Sequence, residues 1–349
     1  MAIGERIRLA RKASGQSQRA LAKKAGISAM AVSKYERAMD LPGSAVLLRI
    51  GRATGVGVEY FFRPSSEAVE VRAFRRHSRL GAKQEAMVAG QVQEWLERHL
   101  ETRALFPSVS PERLPRHAAS TLETVERAAE KLREAWSLGL DPIENLIQVL
   151  EDHDVAVGLV EGADKFDACT FEADGTVVIA VKRRSPGDRQ RFSLAHELGH
   201  LVVDVRGQLN EEDASNRFAG ALLVPAEAAR AELGERRSAL DVWELLLLKR
   251  KYGLSMQGWI HRAHDLGIIT ANTAAALYRE FRYRGWHRKE PGESYPSEEP
   301  TRLKLLVAHA LAEDMISPSR AAELLATPVD ELRRIDFQGD LHARALVGD

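Results

Sequence analysis

The stretch Arg191-Phe-Ser-Leu-Ala-His-Glu-Leu-Gly-His-Leu-Val-Val203 decides how the middle of the chain folds. His196 and His200 stand at i and i+4, on one face of a helix, where both imidazoles reach a single zinc ion. Glu197 lies between them, where a carboxylate suits a general base that takes a proton from water acidified by the ion. Upstream, Val155 to Val160 and Thr176 to Val181 are rich in β-branched residues, and Asp174-Gly175 is a hairpin-turn signal. These residues predict a small, mostly antiparallel sheet ahead of a metal-bearing helix that starts near Asp188 or Arg189, and so an α+β domain. An extended peptide could pair with Thr176 to Val181 and present a carbonyl to the metal.

A catalytic zinc needs a third protein ligand and one position left to water, and the carboxylates just downstream are Glu211, Glu212 and Asp213. Here the chain resembles the ImmA/IrrE family of metallopeptidases, in which HELGH is coupled to an E-x-x-A-N-x-F-A segment ending in Leu-Leu-x-Pro. Asn216, Phe218 and Ala219 set the register that aligns Glu212 with the acidic position, and Ser215 replaces the alanine. The resemblance implies a zincin-like fold, with His196, His200 and Glu212 holding Zn2+ (Mn2+ as the alternative ion) and Glu197 as catalytic residue. Asp141-Pro-Ile-Glu-Asn-Leu, Phe166-Asp-Ala, Tyr252-Gly-Leu-Ser-Met-Gln and Arg284-Gly-Trp-His-Arg-Lys-Glu-Pro also look like segments of fused XRE and ImmA/IrrE proteins. Stand-alone peptidases of that family are understood to cleave helix-turn-helix repressors. The implied substrate is therefore a protein: such a repressor, or this chain itself between about Arg63 and Ala82.

The N-terminal end carries a second pattern, running from Ser17 to Arg37. Ser17 and Ser28 are N-caps for two short helices, and Gly26 permits the tight turn between them. Leu21, Ala22, Ile27 and Val32 fall where the helices must touch, while Ala29, Met30, Ser33 and Lys34 fall on the outer face of the second. This segment, with Leu41-Pro42 and Ile50, Ala53, Gly55 and Val56 beyond it, resembles the XRE family of helix-turn-helix proteins. By that resemblance the partner is double-stranded DNA at an operator, bound by a homodimer. Gln18 and Arg19 take the backbone-contacting start of the first helix, and Ser28 caps the second. Ala29, Met30, Ser33 and Lys34 face the bases, with Arg37 near phosphate. Ala29 and Met30 offer contacts to thymine methyls where polar side chains are common.

Net charge is zero over 349 residues, yet residues 1–84 hold 17 Lys or Arg against 6 Asp or Glu. A basic end on a neutral chain suits a polyanion. No run approaches a membrane span, no signal-peptide core is present, and the lone Cys169 cannot form an internal disulfide, so a reducing cytoplasm is expected. Cys169 reads as a small hydrophobe, and His153, His261, His264 and His287 as structural. Asp141 and Pro142 should open a helix through Leu150, and Arg288 to Pro300 reads as a polar loop. The expected organisation is an all-α helix-turn-helix domain at 1–63, a helical linker region at 64–140, the α+β metallopeptidase domain at 141–260 and a helical C-terminal region at 261–349. Two alternatives compete: a transcription factor whose metallopeptidase-like domain senses a ligand such as an acyl metabolite, and a toxin–antitoxin or prophage repressor acting by DNA occupancy alone.

Overall fold

The computed structural model describes residues 3–63, 82–106, 113–161, 166–173 and 175–332. Part of the expected linker region, including the segment between Arg63 and Ala82, lies outside them, as does the end of the C-terminal region. Among the described residues no helix is long and apolar enough to cross a membrane.

The N-terminal unit comprises α1 (Ile3–Ala13), α2 (Gln18–Ala25), α3 (Ala29–Glu36), α4 (Ser44–Thr54) and a 3₁₀ turn at Val58–Phe62. Its sequence signals act as read. The Ser17 and Ser28 hydroxyls accept from the amides of Ala20 and Ala31, and Gly26 ends α2 at φ 64°. Ile7, Leu21, Ala22, Val32, Ile50 and Phe61 close a small core. A Cβ on Gly4 would stand 2.0 Å from the Tyr35 carbonyl oxygen, so glycine is what lets α1 cross the end of α3.

The rest of the chain follows as α5 (Ala82–Arg103), β1 (His117–Ala119), α6 (Leu122–Ala135), α7 (Leu146–Asp152), β2 (Val155–Val160), β3 (Ala168–Ala173), β4 (Thr176–Lys182), α8 (Gly187–Val202), β5 (Val203–Val205), α9 (Glu211–Leu223), α10 (Ala226–Leu233), α11 (Val242–Tyr252), α12 (Met256–Asp265), α13 (Ala271–Tyr283), α14 (Arg302–Ala312) and α15 (Pro318–Leu325). The main sheet has the order β2-β4-β3, with β4 parallel to β2 and antiparallel to β3. β1 and β5 form a separate parallel pair. The main sheet is therefore mixed and the small one parallel, which corrects the mostly antiparallel arrangement expected from the sequence. After β2 the chain skips one strand position, and the β3–β4 hairpin, with Gly175 at φ 70° in its turn, folds back to fill it.

Alternation along β4 separates two layers. Val178 and Ala180 meet Val88, Val92 and Leu96 of α5, whereas Ile179 and Val181 join the large core with Leu194, Ala195 and Leu198 of α8. The helix at 141–150 also needs correcting: α7 starts at Leu146, with the Asn145 side chain capping the Gln148 amide. Buried Arg133 explains the later start, because it donates to the carbonyls of Gly139 (2.8 Å) and Asp141 (2.7 Å) and holds that segment as a turn.

The polar loop 288–300 is a strap with two buried anchors. Glu298 pairs with the fully buried Arg191 of α8 and accepts the Ile147 amide at 2.8 Å. Its backbone exchanges hydrogen bonds with the Gln190 side chain, and a Cβ on Gly187 would lie 1.9 Å from the Pro296 carbonyl oxygen. Glu290 accepts from Lys249 Nζ (2.8 Å) and from the amides of Met256 and Gln257, both at 3.0 Å. Removing one partner of such a buried pair typically costs about 3–5 kcal/mol. The N-terminal unit is docked similarly, by Arg6 on Glu97 of α5 (2.5 Å) and Arg63 on Glu323 of α15 (2.5 Å).

Candidate metal centre and nucleic-acid interface

His196 and His200 face one side of α8, and Glu212 in the first turn of α9 faces them. The two Nε2 atoms are 3.1 Å apart, and the Glu212 carboxylate oxygens lie 3.5 Å from each. Among the described residues this is the group of three whose ligand atoms gather closely enough for one ion. Gly199 makes the approach of the two helices available, since a Cβ there would press on Phe218 and Ser215 of α9 at 3.1–3.2 Å. On α9, Glu212, Ser215 and Asn216 share a face by their spacing.

That face also fixes the imidazoles. Asn216 Oδ1 lies 3.0 Å from His196 Nδ1, and Ser215 Oγ lies 3.1 Å from His200 Nδ1. With each Nδ1 donating, both Nε2 atoms turn lone pairs toward one point, an arrangement that repels unless a cation lies between them. A zinc ion held about 2.0–2.1 Å from each nitrogen matches their separation. The donor set therefore fits the metal implied by the sequence. Glu211 and Asp213, the other carboxylates in that turn, are exposed and outside the group.

Glu197 projects toward the sheet, where Thr170 Oγ1 of β3 donates to its Oε2 at 2.6 Å. Nothing in the sequence pattern singled out Thr170; the contact depends on β3 lying beside α8. Burial and the charge of Glu197 push the Cys169 thiol well above the ordinary range, which agrees with a packed hydrophobe. The strand expected to pair with a peptide needs correction as well: β4 is hydrogen-bonded on both sides, so it has no edge to offer, and β3 is the outer strand near Glu197.

In the N-terminal unit, Arg19, Lys34 and Arg37 are exposed, as is Met30 at 69%. Ala29 and Ser33 are half-buried, and Arg37 Nε donates back to the Ser33 carbonyl at 3.2 Å. Exposed Ser28 is committed to its capping bond, and Gln18 donates to Glu36 at 2.8 Å, beside the pair that Glu36 makes with Arg11. Arg6, Arg11 and Arg63 are taken up by Glu97, Glu36 and Glu323, so the charge surplus overstates what remains for phosphates.

Residues 7–61 match the family model described as helix-turn-helix, and residues 157–264 match that described as the IrrE N-terminal-like domain. No curated protein matches the chain. The chain thus joins a helix-turn-helix unit, the fold of a DNA-binding regulator, to a metallopeptidase-like α+β domain.

Proposed function

We propose that the chain is a DNA-binding regulator whose second domain is a zinc-dependent endopeptidase acting on an extended segment of a protein, either a helix-turn-helix repressor or this chain itself. The observation that carries this reading is the convergence of His196, His200 and Glu212 with Glu197 alongside. When bound by the three ligands, zinc acidifies a neighbouring water and polarises a peptide carbonyl. Glu197 accepts the proton from the attacking water and later delivers it to the leaving amine. Thr170 holds one oxygen of that carboxylate and so fixes its orientation. Asn216 and Ser215 keep both imidazoles aligned. The outer edge of β3 suits a substrate backbone laid antiparallel or parallel to it.

At the other end, Lys34 and Arg37 hold the second helix of the motif against phosphates, and Met30 supplies an apolar contact in the major groove. A two-fold operator calls for two copies of the chain. Glu197→Gln preserves shape yet cannot take the proton. Incubated with zinc and a co-encoded helix-turn-helix protein, the parent should yield fragments by mass spectrometry and the variant none, at equal zinc content. Cleavage by both proteins, or by neither, sinks the endopeptidase reading.

One observation favours the second reading, a ligand sensor. A cleft of about 1030 Å³ lies between the N-terminal unit, α5 and α15, lined by Tyr60, Arg63, Trp95, Arg98 and Arg320 among others. A ligand there would touch both the DNA-reading unit and the helix that covers the sheet.

A further inference from the structure

The C-terminal helices repeat the local geometry of the N-terminal motif, position for position. Ser17 and Ser317 are both extended N-caps, and their hydroxyls accept from the amides of Ala20 (3.1 Å) and Arg320 (3.2 Å). Each opens a helix of eight residues, α2 or α15, that ends on a left-handed residue, Gly26 at φ 64° or Ala326 at φ 50°. The amide of the next residue folds back alike, Ile27 onto the Ala22 carbonyl at 3.0 Å and Thr327 onto that of Ala322 at 2.9 Å. A further helix then opens at Ala29 in one case and at Val329 in the other. The preceding helices, α1 and α14, both have eleven residues, and buried positions coincide: Ile7 with Val307, Ala10 with Ala310, and Val32 with Leu332. Two helices that meet at such a turn over a shared apolar core make a helix-turn-helix unit.

The second unit is poorly made for a polyanion. Pro318 and Ser319 stand where the N-terminal motif has Gln18 and Arg19, so the start of α15 lacks one backbone amide and the cation. Asp330 and Glu331 stand where that motif has Met30 and Ala31. The same face is turned inward, because Ser317, Ser319 and Val329 line the cleft of about 1030 Å³ that they share with Ala13, Thr54 and Tyr60 of the N-terminal unit. What the second unit touches is that N-terminal unit. Arg63 Nε meets Glu323 Oε1 at 2.5 Å, and Arg63 Nη2 donates to the Glu323 carbonyl at 3.4 Å. α5 binds both units: Gln91 donates to the Ala13 carbonyl at the end of α1 (3.1 Å), and Arg98 to the Leu324 carbonyl at the end of α15 (2.9 Å). None of these contacts uses Met30, Lys34 or Arg37, which are exposed.

We propose that residues 302–332 are a second helix-turn-helix-type unit that binds protein and not DNA, its partner being the N-terminal unit of the same chain, which it clamps against α5. The clamp needs neither the metal nor the peptidase reading. It makes the DNA-reading unit a fixed part of the molecule while leaving Met30, Lys34 and Arg37 open to a duplex. A cut anywhere between Arg63 and Ala82, including one that the chain makes in itself, then leaves the two pieces bound to each other.

A protease recognition sequence inserted between Arg63 and Ala82 of the full-length protein allows that cut to be made at will. The severed pieces should co-elute in gel filtration at micromolar concentration. Their Kd, read with a fluorophore on the N-terminal piece, should rise at least about tenfold with Arg63→Ala or with Glu323→Ala. The double variant should be no more than about threefold weaker than either single one, the mark of a direct pair that misfolding of one unit cannot imitate. Pieces that separate, or two substitutions whose effects multiply, overturn the clamp. In the uncut protein, Arg333→Ala with Arg334→Ala neutralises the cations that follow Leu332 in the sequence. Gel-shift affinity should stay within about twofold and its salt slope should not move, whereas Lys34→Ala lowers both. An equal loss from the C-terminal pair would make the second unit a DNA reader and overturn the assignment.

Discussion

The two candidate sites are built in opposite ways. On α3 and at its C-terminal cap, Met30, Lys34 and Arg37 project into solvent, with the Ser28 cap and the small core behind them. At the candidate metal centre both imidazoles and the proposed base are held by other side chains: His196 by Asn216, His200 by Ser215, and Glu197 by Thr170. A surface reader tolerates adjustment because its affinity is summed over many weak contacts to a flexible polyanion. A metal centre needs its donors fixed before the ion arrives, so a single loss is felt in full. The contrast predicts steep responses at one end of the chain and graded ones at the other.

The largest expected effect is therefore at the metal. Parent protein should hold about one zinc per chain by elemental analysis. The His196→Ala, His200→Ala double variant should hold almost none, with DNA binding intact. Equal zinc in both proteins would move the site elsewhere in the chain. A smaller but sharper probe is Asn216→Ala, which leaves all three ligands in place and removes one orienting partner. Zinc affinity measured by chelator competition should drop about 10–100-fold; an unchanged affinity would mean that the alignment of His196 needs no support. The mildest changes belong to α3. Lys34→Ala and Arg37→Ala should each weaken duplex binding uniformly and lower the slope of log affinity against log salt by about one, read by gel shift on the chain's own promoter. An abrupt loss from either substitution would contradict a reading face made of independent contacts, and unchanged binding by both would remove the face altogether.

Local signals carried most of what could be read in advance. Ser17, Gly26 and Ser28 act within four residues of themselves, and the i, i+4 spacing of His196 and His200 is a property of one helix. The choice of Glu212 over its neighbours depended on resemblance, and its geometry follows from the face it shares with Ser215 and Asn216. What stayed hidden depends on tertiary placement. Thr170 has no mark in its own strand, and the skip that puts β4 at the centre of the sheet is invisible to periodicity, which sees strands and not their neighbours. Asp141 and Pro142 looked like a helix start because nothing nearby in sequence reveals that Arg133 captures the turn. Arg288 to Pro300 is polar for a reason that composition hides: two of its carboxylates are interior anchors.

The distance along the chain between Arg191 and Glu298, 107 residues, also sets an order of events during synthesis. Both histidines, and Glu212 of the following helix, emerge from the ribosome well before the residue that seats the guanidinium at the root of α8. At about 5–20 residues per second the wait is roughly 5–20 seconds. For that interval a nascent chain carries both histidines on a helix whose base holds an arginine still without its carboxylate partner. The strap is thus the last of these parts to seat, and whatever rigidity Glu298 gives α8 comes after both histidines and Glu212 have been made.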